Sequence, residues 1–352
     1  AWQHPGNPNS PHVAGERAPG SVVDARAAVA SLIGATPNEI VFTSGATEAN
    51  NMALLGVAGI ATARRKIIVS AIEHKSVLET AAHLAGLGFS VAHAPVDARG
   101  RLDLAALETM IDENTLLVSL MAANNETGVV QPVAQAAALA HRRGALFHCD
   151  AAQAAGKIPL DVLAPDIDYL SLSAHKMYGP MGIGALFVAA PAPALAPISF
   201  GGGQQSGVRA GTEPVPLIVG FGEAARIAER SLEDDAARCT AFAARLLGEL
   251  LDRQVRVSPI TGDWPVLPGS LALQFHGLDA ESICLAAARK VSISTGSACT
   301  AGQLRPSHVL ESMNLFGDFS KSVVRIFCGR YLSEDAVVAA AAAIAEAANR
   351  KP

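Results

Sequence analysis

The sequence predicts an α/β fold: a large domain with a mainly parallel sheet, followed by a smaller α+β domain. Two observations predict it. Short, β-rich apolar runs recur along the first half of the chain, and Ala-rich helical stretches separate them. Strands alternating with helices argue for βαβ units, whose parallel strands are joined by crossover helices.

The runs read as buried strands are EIVFTS (Glu39 to Ser44), KIIVSA (Lys66 to Ala71), TLLVSLMA (Thr115 to Ala122), ALFHCD (Ala145 to Asp150), DYLSLSA (Asp168 to Ala174) and GALFVA (Gly184 to Ala189). Helical patterns span Val77 to Gly86 and Val133 to Arg143. A polar-apolar stretch from about Glu223 to Arg253 reads as one long helix linking the domains. The tail DAVVAAAAAIAEAANR reads as a closing helix, since Ala is the best helix former. The expected division is residues 14–235 for the large domain, and 236–352 together with 1–13 for the small one.

Composition excludes several classes. The chain has 352 residues and a net charge of −5, with no block or stripe of basic residues, so nucleic acid is not an expected direct partner. No apolar run is long enough for a membrane span. The opening AWQHPGNPNSPH lacks the charged start and apolar core of a signal peptide. The five cysteines are odd in number and show no C-x-x-C spacing. That argues against a disulfide framework and a structural zinc site, and for a reducing, cytoplasmic setting.

In an open parallel sheet, ligands bind outside the carboxyl ends of the strands. Lys176, in SLSAHKMYGPMGIGAL, stands after one run and before a Gly-rich turn. The plain alternative is a surface lysine. A lysine among small, apolar neighbours is also a candidate Schiff-base lysine, because desolvation frees its amine. Asp150 ends a run, where a carboxylate either caps a helix or faces the crevice. Pyridoxal phosphate needs an Asp against its pyridine nitrogen, and a lysine 26 positions on, after the next run, fits such a site. FTSGATEANN gives a strand, a Ser-Gly-Ala-Thr turn and a helix opening at about Thr47, which is either a plain cap or an anion site. No G-x-G-x-x-G fingerprint occurs. His74 ends a similar strand-to-loop step; a lone His is commonly structural, but this one lies at the same sheet edge.

Cys299, in STGSACTAGQLRPSHVL, sits in a Gly- and Pro-containing loop, whereas Cys149, Cys284 and Cys328 sit in apolar runs. That makes Cys299 the candidate nucleophile. Arg325, inside the apolar SVVRIFCGR, is either half of a structural ion pair or a clamp for a substrate carboxylate.

These stretches, with EHKSVL, NNETG, HCDAAQAAGK and GGGQQSGVRAGTE, resemble the NifS/IscS-type cysteine desulfurases, class V aminotransferase relatives of fold type I. The similarity runs in order from about Gly6 to beyond Arg330. The resemblance implies a seven-stranded, mainly parallel sheet and a small domain carrying the cysteine loop. It implies pyridoxal 5'-phosphate held by Lys176, with Asp150 on the pyridine nitrogen and His74 stacked on the ring. Gln153 and Asn125 would lie near the ring hydroxyl. Ala46, Thr47, Ser173 and His175 would bind the phosphate, and Thr212 would reach the phosphate of a neighbouring subunit, hence a homodimer. Arg325 and Asn125 would bind the substrate, L-cysteine. Lys176 would move its Cα proton, His74 would deprotonate its thiol, and Cys299 would take its sulfur as a persulfide for an iron–sulfur scaffold or another acceptor protein. No intrinsic metal site is implied beyond a transient contact of Cys299 with an iron–sulfur cluster.

Family members usually open with a D-N-A-A-T-T-type segment, whereas this sequence opens later, at AWQHPGNPNS, either because that stretch was removed or because this member lacks it; the scaffold-docking tail reads as short or missing. The same residues would serve a selenocysteine lyase, without need of Cys299, or a desulfurase dedicated to nucleic-acid sulfur modification. A silent sulfur-relay subunit and an ordinary aminotransferase are further alternatives. The first conflicts with the complete residue set, the second with the cysteine loop.

Overall fold

The computed structural model describes residues 13–61, 63–295 and 307–349, with side chains from residue 20 onward. The chain forms two compact units. The first runs to Ala94 and takes Leu104–Ala122 and Pro132–Leu232; the second takes Pro95–Asp103, Ala123–Gln131 and everything from Glu233. The two excursions differ from the division expected from sequence. Their physical cause is backbone pairing: Val130 N–H donates to Pro265 O at 2.8 Å and Leu267 N–H to Gly128 O at 2.8 Å, which ties the second excursion into the second unit. Gln131 then holds the first excursion, accepting from Leu102 N–H at 2.9 Å and donating to Gly100 O at 2.8 Å.

The first unit is built on a seven-stranded sheet. Its strands are β1 (Ile40–Thr43), β2 (Lys66–Ser70), β3 (Ser90–Ala94), β4 (Thr115–Ser119), β5 (Leu146–Asp150), β6 (Tyr169–Ser173) and β7 (Gly184–Val188), in spatial order β1-β7-β6-β5-β4-β2-β3. Neighbours from β3 through β6 pair in parallel, while β7 is antiparallel to both β6 and β1. The β6–β7 connection, residues 174–183, holds only a short 3-10 turn and no crossover helix of the kind that usually returns a strand in parallel. Strand β3 was not expected from the sequence. It lies at the sheet edge and buries only Ala94, so it lacks an apolar run.

Helices α1 (Val13–Ser31), α2 (Ala46–Ile60), α3 (Lys75–Gly86), α4 (Leu104–Met110), α5 (Val133–Arg142) and α6 (Val215–Arg230) complete this unit. Met52, Leu54 and Val57 of α2 and Val77 and Leu84 of α3 meet Ile67, Val69, Leu117, Tyr169 and Leu186 of the sheet in one core. Each such fully buried side chain contributes roughly 1.5–3 kcal/mol. This packing fixes where both helices begin, and both begin at the rim described below.

The single long helix expected over 223–253 is two, α6 and α7 (Leu232–Asp252). Ser231 ends α6 with its N–H on Ile227 O, and Glu233, Asp234 and Asp235 open α7, where acidic side chains favour a helix start. The second unit carries an antiparallel sheet in the order β10 (Ser294–Thr295), β11 (Val323–Phe327), β9 (Ser270–Phe275), β8 (Val257–Pro259). Phe242 and Leu246 of α7, Ile283 of α8 (Ala280–Ala287) and Ile344 of α11 (Glu334–Asn349) pack with Leu273, Phe275 and Val324 of that sheet. Short helices α9 (His308–Ser312) and α10 (Asp318–Lys321) precede β11. Among the described residues no helix is long and apolar enough to cross a membrane.

Candidate active site

The carboxyl ends of β1, β2, β5 and β6 share one rim of the first unit's sheet, and antiparallel β7 begins there. Six expected site residues follow those ends: Ala46 and Thr47 after β1, His74 after β2, Gln153 after β5, and His175 and Lys176 after β6. Asp150 and Ser173 are the last residues of β5 and β6.

Asp150 is buried. Its Oδ1 accepts from Ala152 N–H at 2.9 Å and its Oδ2 from Asn50 Nδ2 at 2.7 Å. Burial raises its pKa, against the pull of those donors and of the nearby His74 and Lys176 charges. A carboxylate in that position is stabilised by a cation set against it. His74 is the N-cap of α3, its Nδ1 accepting from Ser76 N–H at 3.1 Å and lying 2.8 Å from Ser76 Oγ. Burial lowers its pKa, and the charges of Lys176 and Lys75 push the same way while Asp150 opposes them. Lys176, His74 and Asp150 are therefore close enough for their charges to interact.

Lys176 departs from one expectation. It is exposed, on a short 3-10 turn (Ala174–Met177), rather than desolvated among apolar neighbours. The reason is its position beyond the end of β6, at the rim rather than in the core. Lys157 holds that turn from below, its Nζ donating to Lys176 O at 2.9 Å and to Gln153 O at 2.8 Å. Gln153 is thereby joined to the lysine turn through its backbone.

Ser173 stands beside the turn that opens α2, its Oγ 4.0 Å from where a Cβ of Gly45 would lie. Ser173 Oγ lies 2.9 Å from His175 Nδ1. Ala46 and Thr47 form the first turn of α2, whose N-cap is Gly45 at φ 153°. Gly184 is paired with both Thr43 and Ser173. A Cβ at Gly184 would stand 2.6 Å from Gly45 Cα and 2.4 Å from Leu172 O, so only glycine lets β7 pass beneath this turn. Free N–H groups of a helix start beside hydroxyl and imidazole groups suit a phosphate. Burial, with the charges of Lys176 and Lys157, lowers the pKa of His175.

Thr212 lies apart, in an exposed loop before α6. Arg209 of that loop donates to Glu48 at 2.8 Å, and Arg26 donates to Gln205 at 3.1 Å. In the second unit, Arg325 Nη1 donates to the backbone carbonyl of Asn125 at 2.9 Å, joining those two expected substrate residues to each other. Asn125 sits in a turn organised by Asn124, whose Oδ1 accepts from Glu126 N–H and Thr127 N–H, each at 2.9 Å. Cys299 lies outside the described residues.

Sequence reasoning missed Asn50, Ser76, Glu73 and Lys157. Asn50 is fully buried, donating to Ser76 Oγ at 2.8 Å as well as to Asp150, while its Oδ1 has no hydrogen-bond partner among the described residues. Glu73 is buried under the same loop, its Oε1 accepting from Met121 N–H at 2.6 Å. Burial and the charge of Asp150 raise its pKa well above the ordinary carboxylate range. A buried Asn on the core face of α2, three positions after Thr47, was the signal available for the first of these.

The residues present fit pyridoxal phosphate. A buried carboxylate in need of a cation, a lysine on the same rim and a glycine-floored cradle at a helix start match its pyridine nitrogen, aldehyde and phosphate in chemistry. The comparisons agree. The family model for class-V aminotransferases matches residues 3–339. The cysteine desulfurase IscS of Rickettsia africae is 42% identical over 336 residues, covering 94% of this chain and 82% of that protein. A solved NifS-like protein superposes with a TM-score of 0.90 at 36% identity, covering 97% of this chain and 91% of that one. The structure of SspA in complex with cysteine gives a TM-score of 0.82 at 36% identity, covering 94% and 93%. The chain belongs to the class-V aminotransferases, which are pyridoxal-phosphate-dependent enzymes, and within them to the cysteine desulfurases.

Proposed function

We propose that the chain takes sulfur from L-cysteine, leaving L-alanine, and carries it as a persulfide on Cys299. The observation that carries this reading is the mutual approach of Lys176, Asp150 and His74 at one rim. Pyridoxal phosphate, when bound, supplies an electron sink next to the substrate Cα. Lys176 would hold it and serve as the base for the Cα proton; Asp150, as a carboxylate, would keep the pyridine nitrogen protonated. The cradle of Ala46, Thr47, Ser173 and His175 binds the phosphate. Gln153 and Asn125 would serve the ring hydroxyl, and Arg325 with Asn125 would bind the substrate carboxylate.

The Cys299 thiolate attacks the substrate sulfur. A sulfur–sulfur bond forms as the substrate's Cβ–S bond breaks, the electron pair stays on carbon, and protonation there completes alanine. The other cysteines support this choice. Cys149, Cys239 and Cys328 are buried, and burial pushes the Cys284 and Cys328 thiols each up to about 11 and Cys149 well above its ordinary value. A buried, protonated thiol is a poor nucleophile. Two copies of the chain would pair, with Thr212 of one reaching the phosphate of the other. The sulfur would pass to an acceptor protein such as an iron–sulfur scaffold, in the cytoplasm.

The test is alanine release from L-cysteine by the holoenzyme and by Lys176→Ala. The wild-type chain should form alanine catalytically and the variant should lose that turnover. Full activity in the variant would remove Lys176 from its role.

A further inference from the structure

The hydrogen bonds around His74 define its protonation more narrowly than its sheet-edge position does. Nδ1 faces the backbone N–H of Ser76 at 3.1 Å. A backbone amide can only donate, so Nδ1 is an acceptor and the neutral ring carries its proton on Nε2. Ser76 Oγ, 2.8 Å from the same Nδ1, follows suit. It accepts one proton of Asn50 Nδ2 at 2.8 Å and so turns its own O–H toward His74. The other Nδ2 proton lies on Asp150 Oδ2 at 2.7 Å. The reverse amide orientation would set Asn50 Oδ1 against the Asp150 carboxylate, oxygen to oxygen. The direction of the whole chain is thus fixed at both ends, by an amide that must donate and a carboxylate that must accept.

We propose that Ser76 and Asn50 are positioning residues that lock His74 as the Nε2–H tautomer and couple that lock to Asp150. The inference rests on reading this rim as the pyridoxal-phosphate site of a desulfurase. Its consequence is specific. His74 presents an N–H donor at Nε2, and it can take up a proton only at Nδ1, by giving up the bond from Ser76 N–H at the start of α3 and reversing the one to Ser76 Oγ. His74 as a resting-state base for the substrate thiol is therefore disfavoured, since the nitrogen free of the helix is already protonated. The charged groups that face the ring are Asp150 of β5, Lys176 of the turn after β6 and Lys75 of α3; Glu73, which accepts the His74 backbone N–H, lies directly before it. Asn50 and Ser76 are both buried, so water does not compete for these bonds.

The experiment is nitrogen NMR of the holoenzyme labelled with 15N-imidazole histidine, without L-cysteine, the His74 signals being those absent from His74→Gln. At neutral pH, Nδ1 should resonate as an unprotonated, pyridine-type nitrogen and Nε2 as a protonated, pyrrole-type one. A pyrrole-type Nδ1, or a ring protonated on both nitrogens, would overturn the proposal. Ser76→Ala removes one of the two donors to Nδ1, so the pH of proton uptake should shift upward, and Ser76→Thr should restore it; an unmoved midpoint in Ser76→Ala removes Ser76 Oγ from the lock. Asn50→Leu frees that hydroxyl and should shift the midpoint the same way, while no shift would detach Asn50. The wild-type measurement stands even if a variant fails to fold. Because no substrate is present, the predicted tautomer in a chain that makes no alanine would uphold this proposal and sink the desulfurase reading.

Discussion

Asn50 Nδ2 stands 2.7 Å from Asp150 Oδ2, linking the first turns of α2 to the end of β5 across the core. The bond shows how the chain keeps a carboxylate where burial disfavours one. Asp150 has a backbone donor and an amide donor and no adjacent lysine or arginine bond among its described hydrogen bonds. Its full stabilisation awaits a cation at the rim.

Asp150→Asn should therefore separate function from stability. Alanine formation should fall by about 100-fold or more, since a preorganised charge at the reacting group is worth that order. The chain without cofactor should melt no lower than wild type, because the substitution removes a buried charge. A melting temperature several degrees lower would show that the carboxylate stabilises the fold by itself.

Gly184→Ala tests the cradle. Its methyl group would meet Leu172 O at 2.4 Å and Gly45 Cα at 2.6 Å, both backbone atoms that cannot swing aside. The expected cost is roughly 1–3 kcal/mol, as for other overpacking, together with weaker retention of the phosphate-bearing cofactor. Chemical denaturation and cofactor dissociation measured on one preparation check both. Wild-type values for each would mean that β7 can move away from the turn.

A pH effect follows from His148, which lies fully buried between Ser119 Oγ at 2.8 Å and Ser171 Oγ at 3.0 Å. Burial lowers its pKa to about 3. The folded chain then binds fewer protons than the unfolded one below the ordinary histidine pKa of about 6.5. Stability from this group is complete above that pH and declines as pH falls toward 3, by about 1.4 kcal/mol per pH unit. Comparing wild type with His148→Gln between pH 7 and 5 isolates the term. The variant should start less stable and lose less on acidification; parallel losses would contradict the assignment.

Much of this was legible in the sequence because strand ends and rim residues coincide. Six strands were readable as apolar runs, and Lys176, Asp150, His74, Ser173 and His175 follow or end those runs. Edge strand β3 was not, because SVAHA buries one residue and carries no core pattern. The break at Ser231 was hidden because both helices keep an apolar face across it. The exposure of Lys176 was not legible, because its neighbours in sequence are small and apolar while the residue stands on a 3-10 turn beyond the end of β6. Asn50, Ser76 and Glu73 act through contacts between residues far apart in sequence or through backbone amides, and no local pattern announces those.

The central claim is that sulfur leaves L-cysteine and arrives on Cys299. The direct measurement is the mass of the Cys299-containing peptide after brief exposure of the holoenzyme to L-cysteine without reductant. The account predicts a gain of one sulfur atom on that peptide, absent in Cys299→Ser. Alanine released with no sulfur on Cys299 would contradict it and favour a lyase that does not use this thiol.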